Sequence, residues 1–226
     1  MFAVKKPSKP ALILSLLLAA TVTAGCSPRF DAAKFVRDAA DSRFLGIYDP
    51  DYPGLAAISE EDIRASHEAC LEAEAEYFRV FFDINKYLIP ETLNNDIIRI
   101  CEKMFASADY EVGEAKKTEN GYTVSIIVRP AGVIPKVMSA DIGGFTSDWQ
   151  KRLDSGDFDG MDVARFETLW STEIIDLVSA RIGETYYLEP ETVYVSIIKE
   201  SYSGGVRYAA DKDDLAGLAR AILPYR

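Results

Sequence analysis

Asn120-Gly121 lies between two extended runs, Tyr110 to Lys117 and Tyr122 to Arg129. Asn-Gly is the preferred centre of a tight hairpin turn, because both residues accept a positive φ. Tyr122, Val124, Ile126 and Val128 recur at a period of two, so they share one strand face and should cover a core. This dipeptide limits the fold most, because the segments before it repeat at a different period. Ser59 to about Ile84 carries Ile63, Cys70, Leu71, Tyr77, Phe78, Phe81 and Phe82 at helical spacing. Its start resembles a capping box, Ser59 with Asp62, and Ile58 with Ile63 can staple across it. Pro90 suits the first turn of the next helix, whose buried stripe is Leu93, Ile97, Ile100, Cys101, Met104 and Phe105.

The same order follows again. A less regular helix is predicted over Val137 to Leu153. A stronger one begins at Asp162, with Val163, Phe166, Leu169, Trp170, Ile174, Leu177 and Val178 inward and Gly183 at its end. Thr192 to Lys199 alternates as a strand, Ser203-Gly204-Gly205 turns, and Val206 to Ala209 returns. A last helix, Asp211 to Leu223, stops at Pro224. A short helix from Asp31 to Phe44 with Gly46 as its stop, and a rigid turn over residues 48–54, precede all of this. The fold class expected is α+β, with helices packed on an antiparallel sheet built from two hairpins. The plan is that of a duplicated ααββ unit, with halves 59–129 and 136–226, although no residue-level repeat supports it. The chain divides into residues 1–25, a segment 26–58, and an α+β domain 59–226.

Residues 1–25 read as an export signal. Lys5, Lys6 and Lys9 precede an apolar core from Ala11 to Val22, too short to span ~30 Å of hydrocarbon comfortably. Thr23-Ala24-Gly25-Cys26 then reads as a lipobox, with small residues before the cysteine that receives a diacylglyceryl group. Thr23 departs from the Leu commonest there. Lipidation at Cys26 implies at least two acyl chains, enough for stable anchoring where one is not. The expected address is the cell membrane, lipid-anchored on its extracytoplasmic face, with the domain close to the bilayer.

Loss of residues 1–25 removes three lysines and no acid, so the net charge moves from −11 to −14. That balance argues against nucleic acid as a partner, because phosphates need a basic face. It also argues against a polybasic grip on anionic lipid. The apolar fraction of 48% is ample for a packed core.

Cys70 and Cys101 are a disulfide candidate, since export takes an even pair to an oxidising side. A bond would close a loop worth roughly 3–4 kcal/mol in the chain-entropy model; two small core residues are the alternative. His67 is the single histidine, so a His-Glu-x-x-His zinc site is excluded. A Ser-His-Asp triad would have to use His67 on a long helix. Ser155-Gly156-Asp157-Phe158-Asp159-Gly160 is a weak calcium pattern. Asp157, Asp159 and Gly160 fit loop positions three, five and six, but Ser155 and Phe166 fail at positions one and twelve. No Gly-rich phosphate loop and no cofactor motif is present. Tyr186 and Tyr187 could edge a groove, though packing at a core or rim suits them better.

The Cys26 signal, Phe30-Asp31-Ala32, Leu45-Gly46, Glu72-Ala73-Glu74-Ala75-Glu76-Tyr77-Phe78, Gly121-Tyr122-Thr123-Val124 and Ile174-Ile175-Asp176-Leu177-Val178 together carry a resemblance. The chain resembles uncharacterised cell-surface lipoproteins of Gram-positive bacteria, over most of its mature length. The resemblance implies a location and a small domain, not an activity. The leading expectation is a non-catalytic binding or interaction module whose partner is an envelope protein or ligand. An envelope hydrolase with paired carboxylates, or a solute-binding lipoprotein of a transporter, are the alternatives.

Overall fold

The hairpin forms where Asn120-Gly121 places it. The computed structural model describes residues 30–184 and 186–225. Strand β1 (Asp109–Lys117) pairs antiparallel with β2 (Gly121–Arg129), and the Thr118 N–H donates to the Gly121 carbonyl at 3.0 Å across the turn. Gly121 is needed for a reason other than turn geometry. It is not among the glycines with positive φ, but a Cβ there would stand 1.8 Å from the Ile197 carbonyl oxygen. Close approach of β3 is therefore what excludes a side chain.

Strand β3 (Glu191–Tyr202) lies beside β2, and β4 (Gly205–Ala210) beside β3, so the sheet order is β1-β2-β3-β4, all antiparallel. The register sets Val124 against Val195 and Ile126 against Val193. Val124, Ile126, Val128, Val195 and Ile197 are buried on one face. The other face carries Ile127, Tyr194 and Ile198, and Tyr194 is 61% exposed. Alternation along each strand separates the two sets. Helices cover one side of an antiparallel sheet of two hairpins, an α+β architecture.

The helices are α1 (Ala32–Phe44), α2 (Tyr52–Ala56), α3 (Glu60–Phe81), α4 (Glu91–Ala106), α5 (Val133–Lys136), α6 (Ile142–Asp154), α7 (Val163–Ile182) and α8 (Lys212–Ile222). A π-helical turn, Val137–Asp141, joins α5 to α6. The helix expected from Val137 thus begins earlier, with Pro135 in its first turn, where a missing N–H is harmless. Residues 52–54 of the predicted rigid turn wind, with Leu55 and Ala56, into α2, because Pro53 presets a helical φ; Ala57 at φ 51° stops it.

The capping box on α3 is complete: the Asp62 N–H donates to Ser59 Oγ at 3.1 Å and the Ser59 N–H to Asp62 Oδ2 at 3.2 Å. The stripes of α3 and α4 meet in the core, where Phe78 packs on Phe82, and Phe44 from α1 stacks on Phe105 at 5.2 Å. Full burial of each such ring contributes about 1.5–3 kcal/mol. From Ala32 onward the chain is one compact unit. Two expected inward residues face water instead. Tyr77 is 52% exposed and Val163 is 66% exposed. Tyr77 lies one residue off its stripe and meets Tyr225 edge-on at 4.7 Å. No helix among the described residues is long and apolar enough to cross a membrane.

Candidate functional site

Helix α1 carries an apolar stripe, Phe35, Val36, Ala39, Ala40 and Phe44, that ties it to the core. The next position on the Phe35–Ala39 row, one turn on, is Arg43. The same row leads from the core into a groove of about 470 Å³ between α1, α2 and α3 on one side and β4 and α8 on the other. This volume falls in the usual range for small-molecule sites. Its floor is Phe35, Ala39, Tyr52, Ile63 and Leu215, all buried. Tyr52 lies 5.3 Å from Phe35, and Phe35 lies 6.1 Å from Tyr208, ring centre to ring centre. The Tyr52 phenol is held above its usual pKa, mainly by burial, so it remains neutral.

Charged groups ring this floor. Glu200 of β3 pairs with Arg207 of β4 at 2.6 Å. Asp62 is committed to the α3 cap, taking the Ser59 hydroxyl at 2.6 Å as well as its N–H. Arg43 differs. Its Nε is buried without an acceptor, and among the described residues it makes no ion pair. It does reach the Cys70 thiol, but burial raises the Cys70 pKa, so that group supplies no counter-charge. Lys212, at the start of α8, also lacks an ion pair among the described residues.

A larger depression, about 680 Å³, lies on the other side of Ile63 and is bounded by Tyr48, Glu60, Glu61, Arg64 and His67. His67 Nδ1 is 2.9 Å from the Arg43 carbonyl. A carbonyl only accepts, so Nδ1 carries the proton. The ring lies against Gly46, where a Cβ would be 3.2 Å away. His67 thus braces the end of α1 on α3, and among the described residues no carboxylate is in hydrogen-bond contact with it to form a triad.

Cys70 and Cys101 stand as two free buried thiols. Arg79 Nη1 donates to Asn94 Oδ1 at 3.3 Å and sets the register of α3 on α4. Asp157 accepts from Ser155 Oγ at 2.8 Å, and both Asp157 and Asp159 are exposed. Their turn is held by Phe158, which stacks on Trp149 at 4.9 Å. Among the described residues no group of three or more potential metal ligands converges, there or elsewhere. Tyr187 donates to the Ser107 carbonyl at 3.0 Å and Tyr186 lies against Gly132, so both close the α4–β2 end rather than a groove. Cys26 lies outside the described residues.

Three polar residues escaped the sequence reading. Arg43 and Arg79 occupy positions on apolar stripes, which was the available signal. Arg79 is 2% exposed and holds Glu72 at 2.7 Å and Glu76 at 3.0 Å. Glu74 accepts from the Tyr225 hydroxyl at 2.7 Å, and burial pushes its carboxyl up to about 7. Nothing local marks that pair, because it joins residues 151 positions apart.

No family model and no curated protein matches this chain. Its fold is similar to that of a solved structure, a candidate lipoprotein, ycdA, from Bacillus subtilis subsp. subtilis str. 168. The TM-score is 0.56 over 84% of this chain, at 13% identity. The match takes in 55% of the Bacillus chain, so this chain spans about half the length of that neighbour. At that identity the likeness is one of fold.

Proposed function

We propose that this chain is a lipid-anchored binding protein on the extracytoplasmic face of the cell membrane, with the α1–α3–β4 groove as its ligand site. The anchor rests on Thr23-Ala24-Gly25-Cys26 behind the Ala11–Val22 core. The fold shared with a candidate lipoprotein supports the same address. The observation that carries binding is the groove itself, an apolar floor bordered by a cation without a counter-ion. The two acids at its rim are engaged by the α3 cap and by Arg207, which favours binding over carboxylate chemistry there.

Two measurements test the reading. In a Gram-positive host fed labelled palmitate, Cys26→Ala is expected to lose the label and leave the membrane fraction. Equal labelling and retention of the variant would sink the anchor. The chain from Ser27 onward contains the whole compact unit. Incubated with solvent-extracted envelope and examined by native mass spectrometry, it should carry a bound small molecule. Ser66→Trp, at an exposed α3 position on the groove wall, should not carry it. Identical spectra for the two proteins count against the groove.

A further inference from the structure

The uncompensated cation in the groove indicates the chemical class of ligand. We infer that the groove binds an anionic amphiphile, with a carboxylate or phosphate head on Arg43 and an apolar body along Phe35, Tyr52, Ile63 and Leu215. This rests on the binding reading above and deepens it.

The argument begins with what other arginines do in this protein. Arg79 holds Glu72 at 2.7 Å, Arg152 holds Glu173 at 2.9 Å, and Arg181 holds Asp141 at 2.6 Å. A guanidinium removed from water needs such a partner, because its desolvation otherwise goes uncompensated. Arg43 has none among the described residues, in a chain whose net charge is −11 and whose acids are therefore abundant. Its buried Nε–H lacks any acceptor. Lys212 adds a second positive charge to the same rim. Asp62 and Glu200, the acids present, are already hydrogen-bonded or paired. The uncommitted charge of the groove is positive.

The floor supplies the other half. A hydrophilic anion on Arg43 would make no use of the small apolar areas that Tyr52, Ile63 and Leu215, each 4–7% exposed, still turn to the groove. A neutral hydrocarbon would cover them and leave the Arg43 charge at the groove without a counter-ion. A molecule with both parts satisfies both. Such a head can come from a free fatty acid or alkyl phosphate, or from an anionic lipid in the bilayer; the chemistry at Arg43 is shared.

Isothermal titration of the chain from Ser27 onward tests this with sodium decanoate, decyl phosphate, 1-decanol and sodium acetate. The two anionic amphiphiles are expected to bind at least about tenfold more tightly than decanol or acetate, the ratio set by one charge-assisted hydrogen bond. Arg43→Gln should remove that advantage and leave decanol binding unchanged. Arg43→Lys should restore part of it. Arg64→Gln, in the neighbouring depression, should change nothing. Flotation with phosphatidylglycerol against phosphatidylcholine vesicles separates the sources: Arg43-dependent binding to the former identifies bilayer lipid, and its absence beside decanoate binding identifies a free amphiphile. If Arg43→Gln does not fold, as judged by its circular dichroism melt, Lys212→Gln at an exposed position takes its place, with a few-fold loss for the anions alone. Decanoate bound no more tightly than decanol overturns the inference, as does an Arg43→Gln effect equal on both. Failure of every amphiphile overturns the ligand class and leaves the groove to the native mass measurement with Ser66→Trp.

Discussion

Arg79 and Arg43 are both helical arginines on apolar stripes, and their surroundings assign them opposite parts. Arg79 is enclosed, with Glu72, Glu76 and Asn94 on its guanidinium. Replacing it with alanine removes three side-chain partners and opens a gap beside Phe78. A loss of about 2–4 kcal/mol in urea denaturation is expected. Arg64→Ala, whose pair with Glu68 at 3.9 Å is exposed on both sides, should shift stability by less than about 0.5 kcal/mol. The thiols give a second prediction at this scale. Burial raises the pKa of both Cys70 and Cys101, so thiolate is scarce in the folded chain. Iodoacetamide should label neither in the native protein without Cys26 and both in denaturant, without reductant. Labelling that requires reductant would show the disulfide instead.

Among the elements, the most local patterns were the most legible. The Ser59–Asp62 box, the Asp162 cap and the α4 stripe all depend on residues within a few turns of each other. Each therefore survives in the folded protein as read. α2 and the π turn were not legible, because each is a compromise between weak local preference and neighbouring packing. Gly121 shows the same limit in a residue that was singled out. Its place at the hairpin was readable from Asn-Gly, but its contact with the Ile197 carbonyl comes from β3, about seventy residues away. Gly121→Ala is expected to lower stability by at least about 2 kcal/mol, with the β2–β3 amides losing hydrogen-exchange protection first. Gly54→Ala in α2, where a Cβ meets nothing within 4 Å, should be neutral or stabilising by up to about 1 kcal/mol.

Across the whole molecule, Glu74 and Tyr225 join the middle of α3 to the C-terminal end. Tyr77 and Phe81 enclose Tyr225 edge-on at 4.7 and 5.0 Å. The Glu74 carboxyl, at about 7 when folded against an ordinary 4.5, binds its proton more tightly in the native state. Its protonation therefore stabilises the fold fully below pH 4.5, and that contribution is lost as the pH rises through 7. The difference is roughly 3 kcal/mol. Glu74→Gln keeps an acceptor for Tyr225 and has no charge to bury. Relative to the variant, the parent chain should lose about that much stability between pH 4.5 and 8, measured by urea unfolding at each pH. Parallel pH profiles for the two proteins would contradict the burial of this carboxyl.

The long helices, the two hairpins, the Ser59 and Asp162 caps and the covered strand face were legible in the amino-acid order alone. Each of these is written in periods of two or about 3.6 residues and in short polar signals, which act over a few residues. The reading of Cys26 likewise rests on sequence alone, because a processing enzyme meets it as a linear segment. Tertiary structure decided the groove, the isolation of Arg43 and the raised pKa of Glu74. All three depend on desolvation by segments far apart in the chain: α1, α3, β4 and α8 for the groove, and α3 with the C-terminal end for Glu74. No local pattern records which charge will be taken from water without a partner, and that charge is what gives the groove its chemistry.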